Sequence, residues 1–166
     1  GGLIQPDSGE VIFNGKDLYK QRAVNVNSYR QRHLGFMFQQ FYLMPYLTVL
    51  ENIKLACYEK SQAEMISYYL EKCSIEGLKD KYPSELSVGE KQRVAFIRAI
   101  ISDPALLLAD EPTGNLDPDN SLILMSLIND YHKNNKTVIL VTHRPELSDQ
   151  ASARIKLDNG RIVPIA

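Results

Sequence analysis

This 166-residue chain has no surplus charge of either sign: 19 Lys and Arg face 20 Asp and Glu, a formal net charge of −1. No global field therefore favours nucleic acid or an anionic lipid surface. There are two cysteines, Cys57 and Cys73, without metal-ligand spacing or neighbouring histidines, so they read as buried or half-exposed thiols of a reducing compartment. The longest apolar runs, 105–109 and 122–125, are far too short to cross a bilayer. No stretch reads as a signal peptide, internal repeat or low-complexity linker, and the first residue is not methionine. Any membrane role is thus expected to come through a partner. Also missing is a G-x-x-x-x-G-K-[ST] loop, whose successive amides and lysine would wrap a phosphate chain. The one Gly-Lys, Gly15-Lys16, is followed by Asp17, and Glu10 stands where the first glycine belongs.

What is present is ordinary for a folded domain: 44% hydrophobic and 23% charged residues, enough for one core. Asn14-Gly15 between 10–13 and 16–18 predicts a tight hairpin, and Asn159-Gly160 predicts a ribbon over 153–165. Residues 33–39 and 137–142 read as buried strands, and 105–109 as a central parallel strand ending in Asp110. Helices are expected over 50–57, over 62–73 with Met65, Ile66, Tyr69, Leu70 and Cys73 on one face, and from Ser87 to Ile101. A further helix is expected over 119–133, with Leu122, Met125, Ile128 and Tyr131 on one face. Strands alternating with helices imply a three-layer α/β domain interrupted by a helical piece over about 40–87.

Four features carry chemistry. Asp110-Glu111 at a strand's C-terminal end places carboxylates where open α/β sheets bind ligands. The first acid suits Mg²⁺ and the second an attacking water. Ser87-Val88-Gly89-Glu90 joins a helix cap to a glycine that lets a backbone come close, an anion site that is equally an ordinary capping box. His143 follows one predicted strand and Gln39 ends another, and both reach the same edge. Each feature alone has a structural explanation; their order along one sheet edge is what makes them informative.

In combination these residues resemble the ABC ATPase family. LSVGE (86–90) followed by KQRVAFIRAI is similar to the signature and its helix. ALLLADEP (105–112) looks like a Walker B strand, with Glu111 as catalytic glutamate and Asp110 as metal ligand. GNLD (114–117) resembles the D-loop ending in Asp117, while Gln39 and His143 match the Q-loop and switch residues. Val88 and Glu90 stand where the commonest signature has glycine and glutamine.

The resemblance implies a P-loop NTPase core with a helical subdomain and a small β ribbon, incomplete at its start, using ATP and Mg²⁺. On it, 1–166 is a partial domain: about 40–87 helical, 87–101 the signature helix, 102–166 the C-terminal core. The phosphate loop would lie just before Gly1, leaving apolar surface uncovered and the chain inactive by itself. Two such domains would pair head to tail, Ser87, Val88, Gly89 and Glu90 serving the partner's nucleotide and Asp117 crossing the interface. Integral-membrane permease subunits would dock on 41–52, holding the protein on the cytoplasmic face of the membrane. The strings GFMFQQFYLMPYLTVLENI and ADEPTGNLD look most like the lipoprotein-release and macrolide-efflux branch. A soluble ABC protein of translation or DNA maintenance, or a non-hydrolysing remnant, is the alternative.

Overall fold

The computed structural model describes residues 1–20 and 26–164. A hairpin of β1 (Ile12–Phe13) and β2 (Lys16–Asp17) opens it, followed by α1 (Val26–His33) and β3 (Leu34–Met37). Short helices α2 (Val49–Lys54), α3 (Lys60–Glu64) and α4 (Ile66–Lys72) lead through two 3₁₀ turns to α5 (Val88–Ile100). Then come β4 (Leu106–Asp110), α6 (Pro118–Lys133), β5 (Thr137–Val141), α7 (Pro145–Ser148) and the ribbon β6 (Lys156–Asp158) with β7 (Arg161–Val163). Both predicted Asn-Gly turns form, with φ of 49° and 74° at Asn14 and Gly15 and 48° and 76° at Asn159 and Gly160. Positive φ at both central residues is what a two-residue hairpin of this hand requires. Ile165, the predicted end of the ribbon, lies outside the described residues.

The main sheet is parallel, in the order β3-β4-β5, with Gly35, Leu107 and Val138 in one register row and Met37, Ala109 and Leu140 in another. These rows face the helices. Leu107 is fully buried, and a Cβ at Gly35 would stand 2.2 Å from the Ala99 carbonyl oxygen of α5. Only glycine lets helix and strand come that close. The core gathers Ile97 and Ile100 of α5, Leu124 and Ile128 of α6, Ile53 of α2, and Ile66 and Leu70 of α4. Each such side chain contributes about 1.5–3 kcal/mol by leaving water.

Three expectations need correction. The helix expected over 62–73 is two helices meeting at Met65, which is exposed, while Ile66, Leu70 and Cys73 are buried. Gln62 Oε1 accepts the Glu59 N–H at 3.1 Å at the start of α3, and Met65 donates its N–H three residues back to the Gln62 carbonyl at 3.1 Å, a tight turn between the two helices. On α6 the buried stripe is Leu124, Met125, Leu127, Ile128 and Tyr131; Leu122 is 68% exposed. β5 is not a buried strand: Thr137, Ile139 and Val141 are exposed and only Val138 and Leu140 lean on the core. As the terminal strand of this sheet, β5 has a helix-covered face and an open one.

Candidate functional site

The three parallel strands end on one edge, and the predicted residues arrive there in register. Asp110 is the last residue of β4 and is exposed; Gln39 lies two residues beyond β3, and His143 two beyond β5. Glu111 donates its own N–H to the Val141 carbonyl at 2.9 Å, so the acid is fastened to β5 through its backbone. Its φ is 45°, in the left-handed region. For a glutamate that conformation costs on the order of 1 kcal/mol and is kept where surrounding structure over-determines it.

The Glu111 side chain is largely covered and its partner is open, at 15% and 77% exposure for Glu111 and His143. Oε1 accepts the His143 main-chain N–H at 2.7 Å and meets ring Nδ1 at 2.8 Å. A carboxylate only accepts, so Nδ1 carries the proton and Nε2 is left to meet a ligand. Among the described residues Oε2 has only a long contact, from the Thr142 hydroxyl at 3.4 Å. One carboxylate oxygen is therefore held by two short contacts and the other by a single weaker one.

Gln39 joins the same edge from the other side. Its carbonyl accepts from Asn115 Nδ2 at 3.3 Å, and its own Nε2 lies beside Gly114, 3.7 Å from where a Cβ would be. Pro112 receives a 2.5 Å hydrogen bond from the buried Gln92 carboxamide of α5. Arg144 reaches back to the Thr113 and Ser121 hydroxyls at 3.5 and 3.3 Å. The sequence gives Thr142 and Arg144 no role, and it gives Asn115 and Gln92 none beyond their membership of the GNLD and signature strings. Each works through a backbone or a neighbour, which no spacing rule reveals.

The second group lies at the start of α5. Ser87 caps the helix, accepting from the Glu90 amide at 3.3 Å while Glu90 Oε2 accepts from the Ser87 N–H at 2.7 Å. That backbone hydrogen bond holds the Glu90 carboxyl below the usual range. Val88 is half exposed and Gly89 buried. Asp117 caps α6, and the hydrogen bonds from the Asn120 backbone and side chain keep its carboxyl below the usual range too. Among the described residues no hydrogen bond joins Ser87, Val88 or Glu90 directly to Glu111 or His143.

A divalent cation fits the edge by donor type. Asp110 offers a carboxylate and Gln39 an amide oxygen, the hard donors Mg²⁺ prefers, and Mg²⁺ keeps several waters and ligand phosphates. The described residues hold no group of three or more His, Cys, Asp or Glu side chains suited to a metal cage, so the protein would supply only part of such a shell. In the segment expected to receive a partner, Tyr42 and Tyr46 are exposed. Asn52 is not: fully buried, it receives the Met44 N–H and donates to the Met44, Leu47 and Thr48 carbonyls, folding the loop onto α2.

The arrangement is that of a P-loop NTPase-type α/β domain. Within that class the chain belongs to the ABC transporter family, whose model matches residues 1–114. It is 40% identical to the lipoprotein-releasing system ATP-binding protein LolD of Buchnera aphidicola, over 97% of this chain and 73% of that protein. It is 36% identical to the macrolide export ATP-binding/permease protein MacB of Chlorobaculum tepidum, over 98% of this chain and 26% of that longer protein. Among solved structures, the dimeric structure of MJ0796, a bacterial ABC transporter cassette, superposes with a TM-score of 0.85 at 30% identity. That match covers 97% of this chain and 74% of the cassette. The same cassette in a post-hydrolysis state bound to ADP and Pi matches equally well.

Proposed function

We propose that these residues form part of the ATP-hydrolysing engine of an ABC transporter of the branch that includes lipoprotein-release and macrolide-export systems. The observation that carries the reading is the Glu111 carboxylate, anchored at one oxygen by His143 and held at the other only by the long Thr142 contact, on the ligand edge of a parallel sheet. Glu111 accepts the proton of the attacking water through Oε2, and His143 orients both that carboxylate and, through Nε2, the terminal phosphate. Asp110 and Gln39 would hold Mg²⁺, which when bound neutralises phosphate oxygens during transfer. Ser87, Val88, Gly89 and Glu90 present the start of α5 to the nucleotide of a second domain, and Asp117 crosses to it. The dimeric state of the MJ0796 cassette supports that pairing.

No described helix is long and apolar enough to cross a membrane. Attachment to the membrane's inner face would therefore run through permease subunits docked near Tyr42 and Tyr46, and the names of LolD and MacB support such partners.

Glu111→Gln in the complete gene product tests the assignment. Turnover should fall at least about 100-fold, the scale of a lost general base, while an ATP-dependent dimer persists. Full activity in that variant would remove Glu111 as the base. The 166 residues by themselves contain no G-x-x-x-x-G-K-[ST] segment, so they should show no measurable Mg-ATP turnover. Robust turnover by the isolated chain would refute this.

A further inference from the structure

Gly89 has a neighbour inside its own chain. A Cβ built on it would stand 2.3 Å from Asn120 Oδ1, 2.5 Å from Cγ and 3.0 Å from Nδ2. Its φ is not in the left-handed region, so backbone conformation does not demand glycine here. Space does, and the atoms that take the space belong to the first turn of α6.

Those atoms cannot simply swing away. Asn120 Oδ1 accepts from Arg93 Nη1 at 2.8 Å, one turn along α5 from Gly89. Asn120 Nδ2 donates to Asp117 Oδ2 at 2.7 Å, and the Asn120 backbone N–H to Asp117 Oδ1 at 2.9 Å. The carboxamide is thus held at both ends in the space where a side chain at 89 would stand. Arg93 Nε beside it is buried without a hydrogen-bond partner among the described residues, so losing the Asn120 oxygen would leave this guanidinium with one acceptor fewer.

We infer that Asn120 is a positioning residue, whose carboxamide, seated on the bare backbone of Gly89, joins the start of α5 to the Asp117 cap of α6 as one rigid unit. The inference rests on the pairing described under Proposed function, in which both of these elements face the second domain. It gives the glycine a cause that is internal to the chain: absence of a side chain lets α6 dock, and only then can α5 present its amides at a fixed angle to Asp117. A displacement of about 1 Å in such an element can cost on the order of 100-fold in rate.

The test is a double-mutant cycle of Gly89→Ala and Asn120→Ala in the complete gene product, read by thermal unfolding and by kcat and KM for ATP. Alanine is the better helix former, so its sign is diagnostic. With Asn120 present, Gly89→Ala should lower Tm by several degrees and cut kcat about tenfold or more. With Asn120→Ala, which removes all three clashing atoms, Gly89→Ala should be neutral or raise Tm, and kcat should return to within about threefold of Asn120→Ala alone. If the double variant stays as damaged as Gly89→Ala in both Tm and kcat, the contact does not set this position and the inference falls. If Tm recovers but kcat does not, Asn120 merely packs against Gly89 and its positioning role is lost. If the unmutated protein has no turnover, the ATPase reading fails, and the sign reversal in Tm still decides whether Asn120 locks α5 to α6.

Discussion

His143 reaches one oxygen of Glu111 twice, by its main-chain N–H at 2.7 Å and by its ring Nδ1 at 2.8 Å. The two contacts separate under mutation. In His143→Ala the amide contact survives, so the carboxylate keeps part of its placement while the ring is lost. In the complete gene product kcat should fall about 100-fold with little change in KM for ATP. A rise in KM at unchanged kcat would assign the ring to ground-state binding instead.

The caps of α2 and α5 are built alike. Thr48 pairs with Glu51, and Ser87 with Glu90, each by reciprocal side chain-to-amide hydrogen bonds. Thr48→Ala and Ser87→Ala should each cost about 1 kcal/mol. That is a fall in Tm of about 2–4 °C for a domain of this size, measurable by thermal melts followed by circular dichroism. No loss for Ser87→Ala would mean that its hydroxyl is not a stabilising cap.

Both capping glutamates have carboxyls held below their ordinary range, first of all by the backbone amides of Thr48 and Ser87. A depressed carboxyl stabilises the fold above its unfolded-state pKa, and that contribution disappears as pH falls through the folded-state value. Stability should therefore decline on acidification below the ordinary glutamate range. Glu51→Gln with Glu90→Gln should lower Tm at neutral pH and make the acid limb shallower. An acid limb as steep as the parent's would place the proton uptake elsewhere.

Burial pushes the Cys73 thiol up to about 12, whereas Cys57 is only partly covered and its thiol is raised less. Since the thiolate is the nucleophile, an aromatic disulfide reagent at mildly alkaline pH should modify Cys57 first. Cys73 should react only at the rate of unfolding. Rapid modification of two thiols in the folded protein would contradict the packing of α4 on α5.

Gly35 offers the severest packing test. A Cβ there would meet the Ala99 main-chain oxygen at 2.2 Å, and unlike a side-chain tip that atom is backbone in the last turn of α5. Gly35→Ala should cost about 1–3 kcal/mol or more, the range for forced overpacking, read by urea unfolding. Wild-type stability would mean that α5 can slide freely over β3.

Much of this was legible in the residues themselves, for physical reasons that can be named. Asn-Gly pairs dictate their own turns, and serine with a glutamate three residues on dictates its own cap, because the interactions lie within a few bonds of one another. The convergence of Gln39, Asp110, Glu111 and His143 was legible because parallel strands must all end on the same side. What stayed hidden depends on neighbours far along the chain. Ile139 and Val141 have strand-forming side chains wherever they are, but whether they are buried is decided by what lies over β5. Met65 completes an apolar stripe on paper and sits outside it because the chain starts a new helix there. Gly89 looked like a glycine made for a ligand; Asn120, 31 positions later, is what occupies the space beside it.

The left-handed backbone of Glu111 has a consequence for how this position can drift. Glycine would sit there at ease, and asparagine nearly so, but glycine has no side chain to reach His143 or water, and asparagine brings a shorter, uncharged amide. Selection for sturdiness alone would erode the acid, and selection for turnover alone would keep a residue the local fold dislikes. A library of variants at 111 sorted separately by heat resistance and by ATP consumption should return two different winners.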